Sequence, residues 1–152
     1  MIRAVDHINI VVSNLERSVK FYTEILGFKE IKRADLSGEW IEKIVGLRNV
    51  DATVVYVVAP DGEPRIELLH YHTPAGARIA ANAIANTVGL RHIAFRVQNI
   101  DETVKNLRSA GVAMLTDPIK VPNTVVEHDL GSKLLCYFHD PDGTLLELAE
   151  YI

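Results

Sequence analysis

From residue 4 to residue 12 apolar and polar side chains alternate, and the stretch is rich in Ile and Val, which predicts a β-strand. Ile8, Ile10 and Val12 fall on one face of that strand and His7, Asn9 and Val11 on the other. The pattern then changes period. Asn14 stands where a helix N-cap belongs, and Leu15, Val19, Tyr22 and Leu26 recur at helical spacing. Gly27 follows, as helix C-termini favour. A strand is expected over 28–34, a short helix over 38–46 with Trp40 as its apolar anchor, a buried strand over 52–59, a Pro60-Asp61-Gly62 turn, and a last strand over 65–71. The unit reads strand-helix-strand-strand-strand.

The pattern then returns. HINIVVSNLERSVKFYTEILGF, beginning at His7, lies over HIAFRVQNIDETVKNLRSAGV, beginning at His92. Identities fall at His7/His92, Ile8/Ile93, Val12/Val97, Asn14/Asn99, Val19/Val104 and Lys20/Lys105. One residue is dropped before the glycine, Gly27 or Gly111. Downstream, PDGEPRIELLHY lies over PDGTLLELAEY, which sets Glu67 against Glu147. Two copies of a long unit indicate a pair of modules and not a solenoid array. The second copy predicts strands over 90–97, 112–115, 123–129, 133–139 and 144–151, with a helix over 101–110. The expected organisation is a first module over 1–72, an Ala-rich linking helix over 73–89 and a second module over 90–152, together one α+β domain of two tandem βαβββ modules.

Composition narrows the function. The 152 residues are 48% apolar, enough for a real core, and carry a net charge of −4. That balance argues against nucleic acid as a partner. The apolar run over 52–59 is far too short to span a bilayer, the N-terminus does not read as a signal peptide, and the one cysteine, Cys136, allows no disulfide within the chain. These features point to a cytoplasmic protein.

Strand parity brings the chemistry forward. His7 and His92 each take the face opposite the one that the following helix should cover. Glu67 in Ile-Glu-Leu-Leu and Glu147 in Leu-Leu-Glu-Leu each sit within an apolar strand, where a lone carboxylate is costly and needs a partner. A salt bridge to Arg65 or Arg96 is one solution. A divalent cation held by His7, Glu67, His92 and Glu147 is another, and two imidazoles with two carboxylates suit Fe, Mn, Co, Ni or Zn. His70 parts company with Glu67, His72 and His139 read as an exposed and a turn residue, and His128, in Glu127-His128-Asp129, either lines the site or faces water. Cys136 reads as a small apolar strand residue, and Lys133 and Arg65 as candidates to meet an anionic substrate.

VDHINIVVSNLERSVKFYTEILGF, RIELLHY, GLRHIAFRVQNIDETVKNLRSAGV and YFHDPDGTLLELAEY resemble the vicinal oxygen chelate superfamily over essentially the whole chain. That group includes glyoxalase I, methylmalonyl-CoA epimerase, extradiol dioxygenases and bleomycin-binding proteins. The resemblance implies a cupped, partly closed mixed sheet with helices outside, a homodimer, and one metal held by His7, Glu67, His92 and Glu147. Bacterial glyoxalase I has the order His, Glu, His, Glu found here, while the epimerase has Gln where this chain has Glu67. The implied reaction is proton transfer alpha to a carbonyl of a small substrate, with Glu147 or Glu67 as base and Asp51 a lesser candidate. A ring-cleaving dioxygenase and a small-molecule binding or resistance protein are the alternatives on the same scaffold.

Overall fold

The structure, a computed structural model, describes residues 1–122, 124 and 130–152. It divides into two compact units, Met1–Arg78 and Ile79–Ile152. Among the described residues no helix is long and apolar enough to cross a membrane.

In the first unit β1 (His7–Val11) leads to α1 (Leu15–Lys20), which continues as a π-helical turn over Phe21–Ile25. The Asn14 side chain accepts from the Arg17 amide at the start of α1, the expected cap. Gly27, at φ 75°, then reverses the chain as only glycine does without strain. β2 (Lys29–Ser37), α2 (Glu39–Val45), β3 (Asp51–Ala59) and β4 (Gly62–Thr73) follow. The sheet order is β1-β4-β3-β2, with β1 parallel to β4 and the other pairs antiparallel.

Period-two alternation gives this sheet two dissimilar faces. Ile10, Val55, Val57, Ile66 and Leu68 are buried on the face that α1 covers, with Leu15, Val19 and Tyr22 supplied by the helical segment. Tyr22 is fully buried between edge-on contacts to Phe21 and Phe28. Each such side chain withdrawn from water contributes about 1.5–3 kcal/mol. On the other face Ile41 of α2 packs with Val50, Ala52, Val54 and Leu69. Trp40, expected as the anchor of that helix, is exposed instead. A seven-residue helix has room for one strongly buried position here, and Ile41 takes it.

The second unit repeats the plan with β5 (His92–Arg96), α3 (Ile100–Ser109), β6 (Ile119–Lys120), β7 (Lys133–His139) and β8 (Leu145–Tyr151), in the order β5-β8-β7-β6. β5 is parallel to β8, as β1 is to β4. Asn99 caps α3 as Asn14 caps α1. Ile100, Val104 and Leu107 form the buried stripe of α3, and Cys136, Phe138, Leu146 and Leu148 are buried in the sheet.

Two expectations meet a different outcome, and a third falls almost wholly outside the described residues. The segment over 73–89 is no helix: it runs as turns with Asn82 N to Ile79 O, Ile84 N to Ala81 O and Thr87 N to Ile84 O bonds. Ile79 and Ile84 are exposed, so no apolar face is packed to hold a helix that is too short to persist by itself. The strand over 112–115 reduces to one bridge, Met114 with Phe138, and regular pairing begins at Ile119. Except for Thr124, the strand expected over 123–129, with His128, lies outside the described residues.

Candidate metal centre

Register explains why each histidine meets a glutamate. In the first unit Asn9 pairs with Glu67 across β1 and β4, and His7 stands two residues earlier on the same face as Asn9. The His7 Nε2 atom lies 3.3 Å from Glu67 Oε2, and the Asn9 amide donates to that same oxygen at 3.1 Å. Tyr56 is the partner of Glu67 across β3 and β4. Burial, with the neighbouring Glu67 carboxylate, holds its phenol above the ordinary tyrosine range.

The other His7 nitrogen is also engaged. Nδ1 lies 2.8 Å from Asp6 Oδ2, and Arg65 Nη2 donates to that oxygen at 2.7 Å. With Nδ1 as the donor, Asp6 fixes the tautomer that turns the bare Nε2 lone pair to the Glu67 side, where a cation between the two would satisfy both, the outer support typical of metal-ligating imidazoles. The His7 contact and the Arg65 guanidinium hold the Asp6 carboxyl below the usual carboxylate range.

The second unit repeats the motif with one substitution of partner. Ala94 pairs with Glu147 across β5 and β8, His92 stands two residues before Ala94, and His92 Nε2 lies 3.4 Å from Glu147 Oε2. Tyr137 is the partner of Glu147 across β7 and β8, and its ring lies 5.3 Å from that of His92. Burial and the Glu147 charge push its phenol up, as at Tyr56. Where Glu67 takes a neutral amide, Glu147 takes an ammonium: Lys133 Nζ donates to Oε1 at 2.6 Å. The Glu147 side chain is 3% exposed and that of Lys133 15%. Lys133 starts β7 opposite Tyr151, two rungs along the strand from Glu147, and reaches back over Ala149. Before His92 stands Arg91, whose guanidinium donates to the Asn82 carbonyl at 3.0 Å, so His92 has no counterpart of Asp6 in that position.

The donor chemistry fits a divalent ion. Two ligands each about 2.1 Å from one ion stand about 3.0–3.4 Å apart for angles between about 90 and 109°. The 3.3 and 3.4 Å imidazole–carboxylate separations fall in that range. Each unit brings one such pair, and no group of three or more His, Cys, Asp or Glu side chains set to hold an ion occurs among the described residues.

The remaining candidates are employed elsewhere. His70 Nδ1 lies 2.9 Å from the Val12 carbonyl, on the face opposite Glu67, and His72 Nε2 lies 3.0 Å from Thr53 Oγ1. His139 Nε2 lies 3.1 Å from the Ala83 carbonyl. Asp51 is an exposed strand-start residue. Burial pushes the Cys136 thiol up to about 11, which removes the thiolate needed of a nucleophile. Asp140 is buried in the turn before β8, accepting from the Asp142 and Thr144 amides, and burial raises its carboxyl.

Residues 4–148 match the family model of the Glyoxalase/Bleomycin resistance protein/Dioxygenase superfamily. The chain belongs to that superfamily. Within it, the Bacillus subtilis protein YwkD, itself uncharacterised, is 30% identical over 150 residues, covering 99% of this chain and 98% of its own. Human mitochondrial methylmalonyl-CoA epimerase is 28% identical, over 95% of this chain and 72% of its own. A crystal structure of a glyoxalase family protein from Bacillus cereus superposes with a TM-score of 0.83 at 30% identity, covering 100% of this chain and 96% of that one. Superfamily membership accounts for the paired βαβββ modules; activity has to be argued from the residues at the site.

Proposed function

We propose that this chain is a metal-dependent isomerase or lyase that moves a proton alpha to a carbonyl of a small substrate, with His7, Glu67, His92 and Glu147 as the metal ligands. The observation that carries the reading is the duplicated imidazole–carboxylate pair, at 3.3 Å in one unit and 3.4 Å in the other. The similarity to an epimerase, under a family model that carries the glyoxalase name, supports the same class. A divalent ion bound there supplies Lewis-acid polarisation of a carbonyl oxygen.

The chain's own residues divide the rest of the work. Glu147 is committed to the Lys133 ammonium, so it stays in place as a fixed anion. Glu67 has the neutral Asn9 amide and Tyr56 around it, and it is the carboxylate that takes the proton from the alpha carbon, a proton being returned to a different position of the resulting enolate. Asp6, backed by Arg65, holds His7 in register while Glu67 moves the proton. The proposal includes a homodimer, to be checked by light scattering.

The test is exchange. Metal-loaded protein in deuterium oxide is expected to place deuterium at the alpha carbon of a turned-over 2-oxoaldehyde hemithioacetal or 2-methyl acyl thioester. Glu67→Gln is expected to slow that exchange about 10²–10⁴-fold while metal content is retained. Turnover without any label from solvent counts against the reading, and so does a Glu67→Gln variant that exchanges at the parent rate.

A further inference from the structure

On the same sheet face as His92 and Glu147, one rung pair farther along, two cations share one aromatic ring. Arg96 pairs with Ala149 across β5 and β8, and its guanidinium carbon lies 5.2 Å from the centre of the Tyr151 ring. Lys133 pairs with Tyr151 across β7 and β8, and its Nζ lies 6.0 Å from the same centre. The two differ in what offsets them. Lys133 is on Glu147 at 2.6 Å, whereas Arg96 is exposed and forms no ion pair among the described residues. Glu150, the nearest acid in sequence to Tyr151, points the other way, and its Oε2 accepts from the Ile100 amide that opens α3. The local balance of Arg96, Lys133 and Glu147 is therefore one positive charge, with a donor fork laid beside an aromatic face.

We propose that Arg96, with Lys133 and the Tyr151 ring, forms a carboxylate-binding subsite for the substrate of this centre. A planar guanidinium presents two parallel N–H donors that match a carboxylate, and the tyrosine ring holds the fork in place while leaving its outer edge open. The planar fork and a local charge of one match a single carboxylate group, which carries one charge, better than a phosphate group, which is tetrahedral and carries up to two. The position limits the substrate further. The Arg96 rung lies two residues beyond Glu147, about 7 Å along the strand. The carboxylate it takes is thus separate from the reacting carbonyl, and the substrate class is a small carbonyl compound with a carboxylate on another carbon. This assignment of the anion as part of a substrate rests on the proton-transfer reading above. Anion binding at Arg96 does not.

The experiment is an equilibrium titration of the full chain, stripped of divalent metal with chelator, with sodium succinate, with neutral succinamide and with inorganic phosphate. Saturable binding of succinate is expected, with none of succinamide. Arg96→Gln is expected to weaken succinate binding about ten-fold or more, and Arg96→Lys, which keeps the charge and loses the fork, is expected to fall between. Equal binding by the parent and Arg96→Gln overturns the proposal, as does no succinate binding or tighter binding of phosphate than of succinate. Because the titration is done without metal, a protein that takes succinate but never a metal keeps the subsite and loses the enzymatic reading, and one that takes a metal but not succinate does the reverse.

Discussion

Replacing Lys133 by Met tests the electrostatics of the second unit without touching a proposed ligand. Methionine keeps the length and apolar stem of lysine and removes only the ammonium. What it leaves is a Glu147 carboxylate, 3% exposed, whose Oε1 has lost a donor at 2.6 Å. Breaking a fully buried pair by deleting one partner costs about 3–5 kcal/mol. Lys133 keeps 15% of its side chain in water, and His92 at 3.4 Å with Tyr137 alongside remains to share the charge, so the loss here is nearer 2 kcal/mol. For a chain of this size that is a fall in Tm of about 4–8 °C. The assay is chemical and thermal unfolding of both proteins in chelator. Adding a divalent metal should then raise the variant at least as much as the parent, because a bound cation supplies the missing positive charge. A Glu147→Gln change in the Lys133→Met background should recover part of the loss, since no uncompensated charge remains. Unfolding of Lys133→Met at the parent's midpoint in the absence of metal refutes the reasoning.

Three further outcomes are expected. Gly131→Ala places a Cβ 2.5 Å from the Ile152 carbonyl oxygen at φ 101°, so the variant should lose about 1–3 kcal/mol in urea unfolding, whereas Gly27→Ala, with open space around it, should lose less. Asp6→Asn should weaken metal binding about 10–100-fold in a competition titration, with the fold retained by circular dichroism. In the parent the Asp6 carboxyl is depressed, so its contribution is complete above the unfolded value near 3.8 and is lost only as pH falls through the lower folded value; a carboxyl titration by NMR with its midpoint at or above 3.8 contradicts this. Cys136, fully buried with its thiol pushed up to about 11, should resist a disulfide exchange reagent at pH 8 in the native protein and react on unfolding.

The features that could be read from sequence are those governed by short periods. Parity along β1 and β5 separates His7 from Ile8 and His92 from Ile93, and the burial of Ile10 and the half-burial of Ile93 and Phe95 follow that parity. The caps at Asn14 and Asn99 are local bonds to the third residue on, so they were visible as well. What escaped depends on register. Tyr56 and Tyr137 stand beside Glu67 and Glu147 only because of the antiparallel pairing, and the reach of Lys133 to Glu147 depends on a two-rung offset with the small Ala149 between. Strict alternation continued back from Ile8 puts Asp6 on the face of Ile8. It lies before the first paired residue, so the pleat does not hold it, and it turns back to His7. The linking helix failed for the opposite reason: alanine content favours a helix locally, but 73–89 has no apolar stripe packed against anything that would stabilise one.

The most direct test of the proposed centre is elemental analysis of the protein purified without chelator or affinity metal, repeated on His7→Ala and on Glu147→Ala, one change in each unit. One divalent ion per chain, lost in both variants, is the predicted result. No bound metal in the parent, or an ion retained at full stoichiometry in either variant, contradicts the claim that the two imidazole–carboxylate pairs serve a common ion.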